Sequence, residues 1–73
     1  MTEYKLFIRE VKKQIAVRGL SQYEVADMIG ASQPWVNHIL NGDRTPNVHH
    51  LFSLARVLGI DLGQIQREAY RVS

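Results

Sequence analysis

A chain of 73 residues has room for one small domain and little else. Hydrophobic residues make up 45% and charged ones 22%, a globular composition, and the absence of cysteine excludes disulfides, thiolate zinc and thiol redox chemistry. Nine Lys and Arg against seven Asp and Glu permit an anionic partner without requiring one, while the lack of a long apolar run or signal-like start leads us to expect a cytoplasmic protein with no membrane association.

Two prolines and five glycines punctuate a pattern that otherwise has a helical period. No stretch alternates like a half-buried strand, and there is no repeat, linker or low-complexity tract, so one all-α domain over residues 1–73 is expected. The first helix is predicted from about Thr2 to Arg18, with Tyr4, Ile8, Val11 and Ile15 on its buried stripe and Lys5, Arg9, Lys12 and Lys13 mostly off it. Gly19 stops it. The second helix opens on a capping box, Ser21-Gln22-Tyr23-Glu24, with Leu20 and Val25 as the hydrophobic staple, and ends at Gly30. Ser32 caps a third helix whose first turn tolerates Pro34; Val36, Ile39 and Leu40 face inward and Asn41-Gly42 ends it. After the loop Asp43-Arg44-Thr45-Pro46, Asn47 caps a fourth helix with Leu51, Leu54, Ala55 and Leu58 inward, closed by Gly59. Asp61 and Gln64 form a second capping box, flanked by Ile60 and Ile65, and start a fifth helix that runs toward Tyr70.

The join between helices two and three, about residues 21–41, is the informative part. Ala26 is small where one helix must cross closely over the next. Gly30 supplies the left-handed residue of a sharp bend, and Val25, Ile29, Val36 and Ile39 lock the underside. These are the steric needs of a helix-turn-helix.

On the residues GLSQYEVADMIGASQPWVNHILNG, then DRTP, then LFSLARVLGI, the chain resembles the Cro and phage-repressor type of helix-turn-helix regulators, from about Val11 to Ile65. The resemblance implies a compact five-helix, lambda-repressor-like DNA-binding domain, usually dimeric, whose third helix lies in the major groove. It also implies roles. Gln22 clamps a phosphate and orders Gln33, the first residue of the reading helix, which meets base edge and backbone and can pair bidentately with adenine. Pro34, Asn37, His38 and Asn41 share the outward face. Asn37 and His38 reach bases or phosphates and Asn41 phosphate, Ser32 opens a helix N-terminus that seats phosphate, and Arg44 contacts backbone or minor groove.

Three departures stand out. Pro34 replaces a base-reading polar side chain and offers at most an apolar contact to a thymine methyl. Trp35 is large for its place; it either packs on the sugar-phosphate rim or folds back toward Gln22 and Tyr23, with core filler as the alternative. Residues 20–43 contain Glu24, Asp27 and Asp43 and no Lys or Arg, so phosphate neutralisation must come mostly from the first helix and Arg44, about two to four phosphates per half-site. Lys12-Lys13 either flanks the backbone or is a solvated face.

Leu62, Ile65, Ala69 and Val72, with Tyr70 beside them, form a second stripe on the fifth helix that is expected to be a homodimer patch, the alternative being a frayed end. His49-His50 are expected to be surface histidines, because neighbours on a helix diverge and no partner completes a metal set. No metal, cofactor or small-molecule effector is expected, and no nucleophile–base pair points to an enzyme. The functional expectation is a Cro-like transcriptional repressor, of phage or mobile-element type, that binds a short near-palindromic DNA operator as a homodimer. The alternative is an antitoxin or anti-repressor module acting through a protein partner, motivated by the acidic helix-turn-helix segment.

Overall fold

The computed structural model describes residues 3–71. The expected start at Thr2 and the outer-stripe residue Val72 lie outside them. Five helices follow in order: α1 (Glu3–Arg18), α2 (Gln22–Ile29), α3 (Gln33–Leu40), α4 (Val48–Leu58) and α5 (Leu62–Arg71). The described chain is all-helical, as the sequence patterning requires, and none of its helices is long and apolar enough to cross a membrane.

Local signals set the helix starts. In the Ser21 box, the Glu24 amide donates to Ser21 Oγ at 3.1 Å and the Ser21 amide donates to Glu24 Oε1 at 3.0 Å. Ser32 accepts from the Trp35 amide at 3.3 Å and Asn47 from the His50 amide at 2.8 Å. The expected box at Asp61 is only half present. The Gln64 amide donates to Asp61 Oδ1 at 3.2 Å, but Asp61 turns its other oxygen to Arg67, 3.9 Å away.

The helix ends share one device. After α1, α2, α3 and α4, two amides fold back to carbonyls of the last turn, as in Ala31 N–H to Ala26 and Gly30 N–H to Asp27. At Gly30 the bend requires φ +70°, a region that L side chains disfavour.

Packing completes the bend. α2 lies against α3 and α4, and α1 against α4 and α5. Between them Phe7, Val11, Val25, Ala26, Ile29, Val36, Leu54, Ala55 and Leu58 form the core, with Ile39 also buried. The predicted stripe of α1 needs correction. Leu6, Phe7 and Val11 are its buried residues, while Tyr4, Ile8 and Ile15 are half-buried. Because α1 serves two neighbours, its buried arc is wider than one amphipathic stripe and centred elsewhere. On α4, Ser53 is buried beside Leu54, Ala55 and Leu58, whereas Leu51 is half-buried. On α5, Ala69 is buried within the protomer and Leu62 and Ile65 pack partly on the core, so Ala69 is withdrawn from the outer face where a dimer patch was expected.

Candidate nucleic-acid interface

With Val36 and Ile39 buried, α3 turns Gln33, Pro34, Asn37, His38 and Asn41 away from the core. Positions three and four residues apart share a helix face, and the spacings 33/37, 34/37, 34/38, 37/41 and 38/41 join these five into a single strip. Its polar members do not stand independently. Gln33 Nε2 donates to Gln22 Oε1 at 2.6 Å, Asn37 Nδ2 donates to the same oxygen at 3.3 Å, and Asn41 Nδ2 donates to Asn37 Oδ1 at 3.0 Å. A chain of four amides therefore crosses from the first turn of α2 along the length of α3.

The amide inventory fixes what remains for a ligand. Gln22 Oε1 receives two donors, which leaves its amide N–H groups to face outward partners; two N–H donors at a helix start suit a phosphate. Gln33 has spent one N–H and keeps the other together with Oε1, the donor–acceptor pair that adenine N7 and N6 require. Asn41 keeps its carbonyl oxygen. The relay sets which atom of each amide points where, and a wrong rotamer at one position leaves a neighbour without its partner.

His38 is held from the other side. Where the turn after α3 closes, the Asp43 amide donates to the His38 carbonyl at 2.9 Å, and the two side chains meet with Nδ1 3.4 Å from Asp43 Oδ2. At the ends of α1, α2 and α4 the equivalent positions are apolar pairs, Ile15 with Leu20, Ala26 with Ala31 and Ala55 with Ile60. At the end of α3 the pair is polar, and it leaves Nε2 of His38 as the ring nitrogen for an external partner. From the sequence Asp43 reads as a loop residue and as local negative charge, without the tie to His38.

Ser32 is exposed and occupied as the α3 cap, and Pro34 is exposed in its first turn. Trp35 is half-buried. It packs on the core and its ring meets that of His50 at a tilt of 48° with centroids 4.6 Å apart, and His50 in turn meets His49 edge-on at 5.5 Å. It therefore turns toward α4 rather than back to Gln22 and Tyr23. Arg44 lies exposed in the loop after α3, and the Tyr4 hydroxyl donates to its carbonyl at 3.4 Å. Burial raises the Tyr4 pKa above its usual 10.0, partly offset by a hydrogen bond with the Thr45 side chain. The start of α1 thus holds the loop that carries Arg44, a tie invisible in the sequence because the two residues are 40 apart. Lys12 and Lys13 part company. Lys12 borders a hollow with Lys5 and the end of α3, Lys13 borders another with Glu10, Asp61 and Glu68, and Arg9 lines both.

A family model described as helix-turn-helix matches residues 11–65, and so covers the amide relay, the bend and the packing beneath it. The chain belongs to the helix-turn-helix family of the Cro and phage-repressor type. No curated protein and no solved structure matches it. As a member of this helix-turn-helix family the chain is a DNA-binding regulator, and the matched stretch contains every residue singled out above for reading DNA, from Gln22 to Arg44.

Proposed function

We propose that the chain is a Cro-like transcriptional repressor that binds a short, near-palindromic operator as a homodimer, with α3 in the major groove. The observation that carries this reading is the amide relay, which pins Gln33 and Asn37 to Gln22 on an outward strip of a helix that the core holds rigid. Gln33 reads a base edge, and the free N–H groups of Gln22 and the α3 N-terminus at Ser32 take phosphates. Asn37 and His38 contact bases or phosphates, Asn41 and Arg44 contact the backbone, and Pro34 offers only an apolar face. Trp35, half-buried and in ring contact with His50, is assigned to the rim of the DNA-facing surface.

Dimerisation draws support from a shallow apolar groove of about 400 Å³ where α1, α4 and α5 meet, lined by Phe7, Leu51, Phe52, Leu62 and Ile65. Within its lining Phe52 is 57% exposed, and Tyr70 on α5 is 67% exposed, large apolar surface for so small a chain. Tyr70 follows Gln66, which also lines the groove, by one helical turn. The pairing face is thus proposed to use Leu62, Ile65, Phe52 and Tyr70, without Ala69.

Selection of bound duplexes from a random-sequence pool, followed by a salt-titrated shift assay against random competitor, tests the proposal. The expected product is a near-palindrome with half-sites about one helical turn, roughly 34 Å, apart. A chain that prefers no sequence over bulk DNA contradicts it. The acidic α2–α3 segment favours one second reading, a module that acts mainly through a protein partner on the apolar groove. In that case Gln33→Ala with His38→Ala leaves function intact, whereas a repressor loses it.

A further inference from the structure

DNA affinity rests largely on phosphate neutralisation, yet residues 20–43 carry no cation. The structure gathers charge one helix away. Lys5, Arg9 and Lys12 recur at spacings of four and three along α1, so they share one of its faces. That face forms one wall of a groove of about 380 Å³ whose other wall is Asn41 and Gly42, the end of the reading helix. Ile8, Ile39 and Leu40 supply its apolar lining, and Tyr4, also in the lining, holds the Arg44 loop through its hydroxyl.

We infer that this groove is a phosphodiester-backbone site. It takes one strand of the same duplex that α3 reads, with phosphates on Lys5, Arg9 and Lys12 and deoxyribose edges on Ile8 and Leu40. The inference rests on the DNA-binding reading above and adds the surface that holds the backbone. Charge complementarity names the occupant, since a lining that combines three cations with apolar side chains matches alternating phosphate and sugar. Continuity fixes its orientation, because Asn41 is both the last member of the amide relay and part of the groove wall. The reach agrees. Lys5 and Lys12 are seven residues apart, about 10 Å along a helix, which corresponds to about three base steps of duplex axis. Arg9 and Lys12 make no ion pair among the described residues, and of the two only Arg9 also borders the hollow lined by Glu10, Asp61 and Glu68.

The test measures the salt dependence of binding to a random-sequence duplex by the full chain, because a backbone contact needs no operator. The variant Arg9→Gln with Lys12→Gln is expected to lower the slope of log affinity against log salt by about 1.8, two contacts at about 0.9 each. The same variant weakens binding to a pool-selected duplex by the same factor and leaves the preference ratio unchanged. Lys13→Gln, one residue along but facing the hollow with Glu10, Asp61 and Glu68, leaves the slope unchanged. Far-ultraviolet circular dichroism and thermal melting confirm that each variant, altered only at exposed positions, is folded. A double variant with the wild-type slope, or an equal fall in Lys13→Gln, overturns the inference. If the wild-type chain prefers no sequence, the repressor reading fails on its own, and the slope on random duplex still decides the groove.

Discussion

Gln22 is the pivot of the interface because a single oxygen on it accepts from two reading side chains. Gln22→Ala removes the proposed phosphate donor and releases both Gln33 and Asn37, so affinity for a selected duplex is expected to fall about 10- to 100-fold, on the scale of one to two good hydrogen bonds. Discrimination against single-base variants of that duplex falls with it, and quantitative shift assays read both. Equal loss across all sequences would mean that Gln22 holds phosphate alone. Tyr4 gives a second residue-scale prediction. Burial raises its pKa, so the folded state disfavours the phenolate and the associated stability is fully present below about pH 10 and lost as pH rises through the folded value. Urea midpoints above pH 10 are expected to fall more for the wild type than for Tyr4→Phe, and parallel curves would contradict that.

Among elements, the turns separate local strain from tertiary contact. Gly30 and Gly59 have the same left-handed φ, but a Cβ at Gly30 meets nothing within 4 Å, whereas at Gly59 it lies 3.0 Å from Arg18 Nη2. That guanidinium donates to the Leu58 carbonyl and so ties the end of α1 to the end of α4. Gly30→Ala is expected to cost about 1 kcal/mol of strain, and Gly59→Ala about 1 kcal/mol more because the Arg18 bond is displaced as well. Urea denaturation of the two variants checks the order, and equal costs would show that Arg18 moves aside freely. These elements were legible in the sequence because caps and stops are signals confined to three or four residues. Ser21 with Glu24, Ser32 with Pro34, and Gly30 each carry their own structural instruction.

At the scale of the molecule, the legible part ends where one helix meets a distant one. The buried arc of α1 was misplaced because α4 and α5 both press on it, and no stripe within α1 encodes two neighbours. The sequence shows the cations of the first helix and their expected part in neutralising phosphate, but not that Lys5, Arg9 and Lys12 share a hollow with the end of α3. Trp35 was undecided for the same reason, since its orientation depends on His50 of α4. The outward strip of α3 was legible, whereas the order of hydrogen bonds along it, which runs through Asn37 and Asn41, was not. The apolar groove makes a prediction at this scale. Phe52→Glu places a charge on a half-exposed position without emptying the core, so sedimentation is expected to shift from two chains to one while the melting profile is retained. An unchanged mass would place the pairing face elsewhere.

Sequence reading by the strip that Gln22 organises is tested most directly through Gln33. The ratio of affinities for a pool-selected duplex and random-sequence duplex, measured at one salt concentration for wild type and Gln33→Ala, isolates base reading from backbone attraction. The ratio is expected to drop about 10-fold or more while binding to random DNA changes little. A ratio that survives the substitution, in a folded variant, would contradict the account.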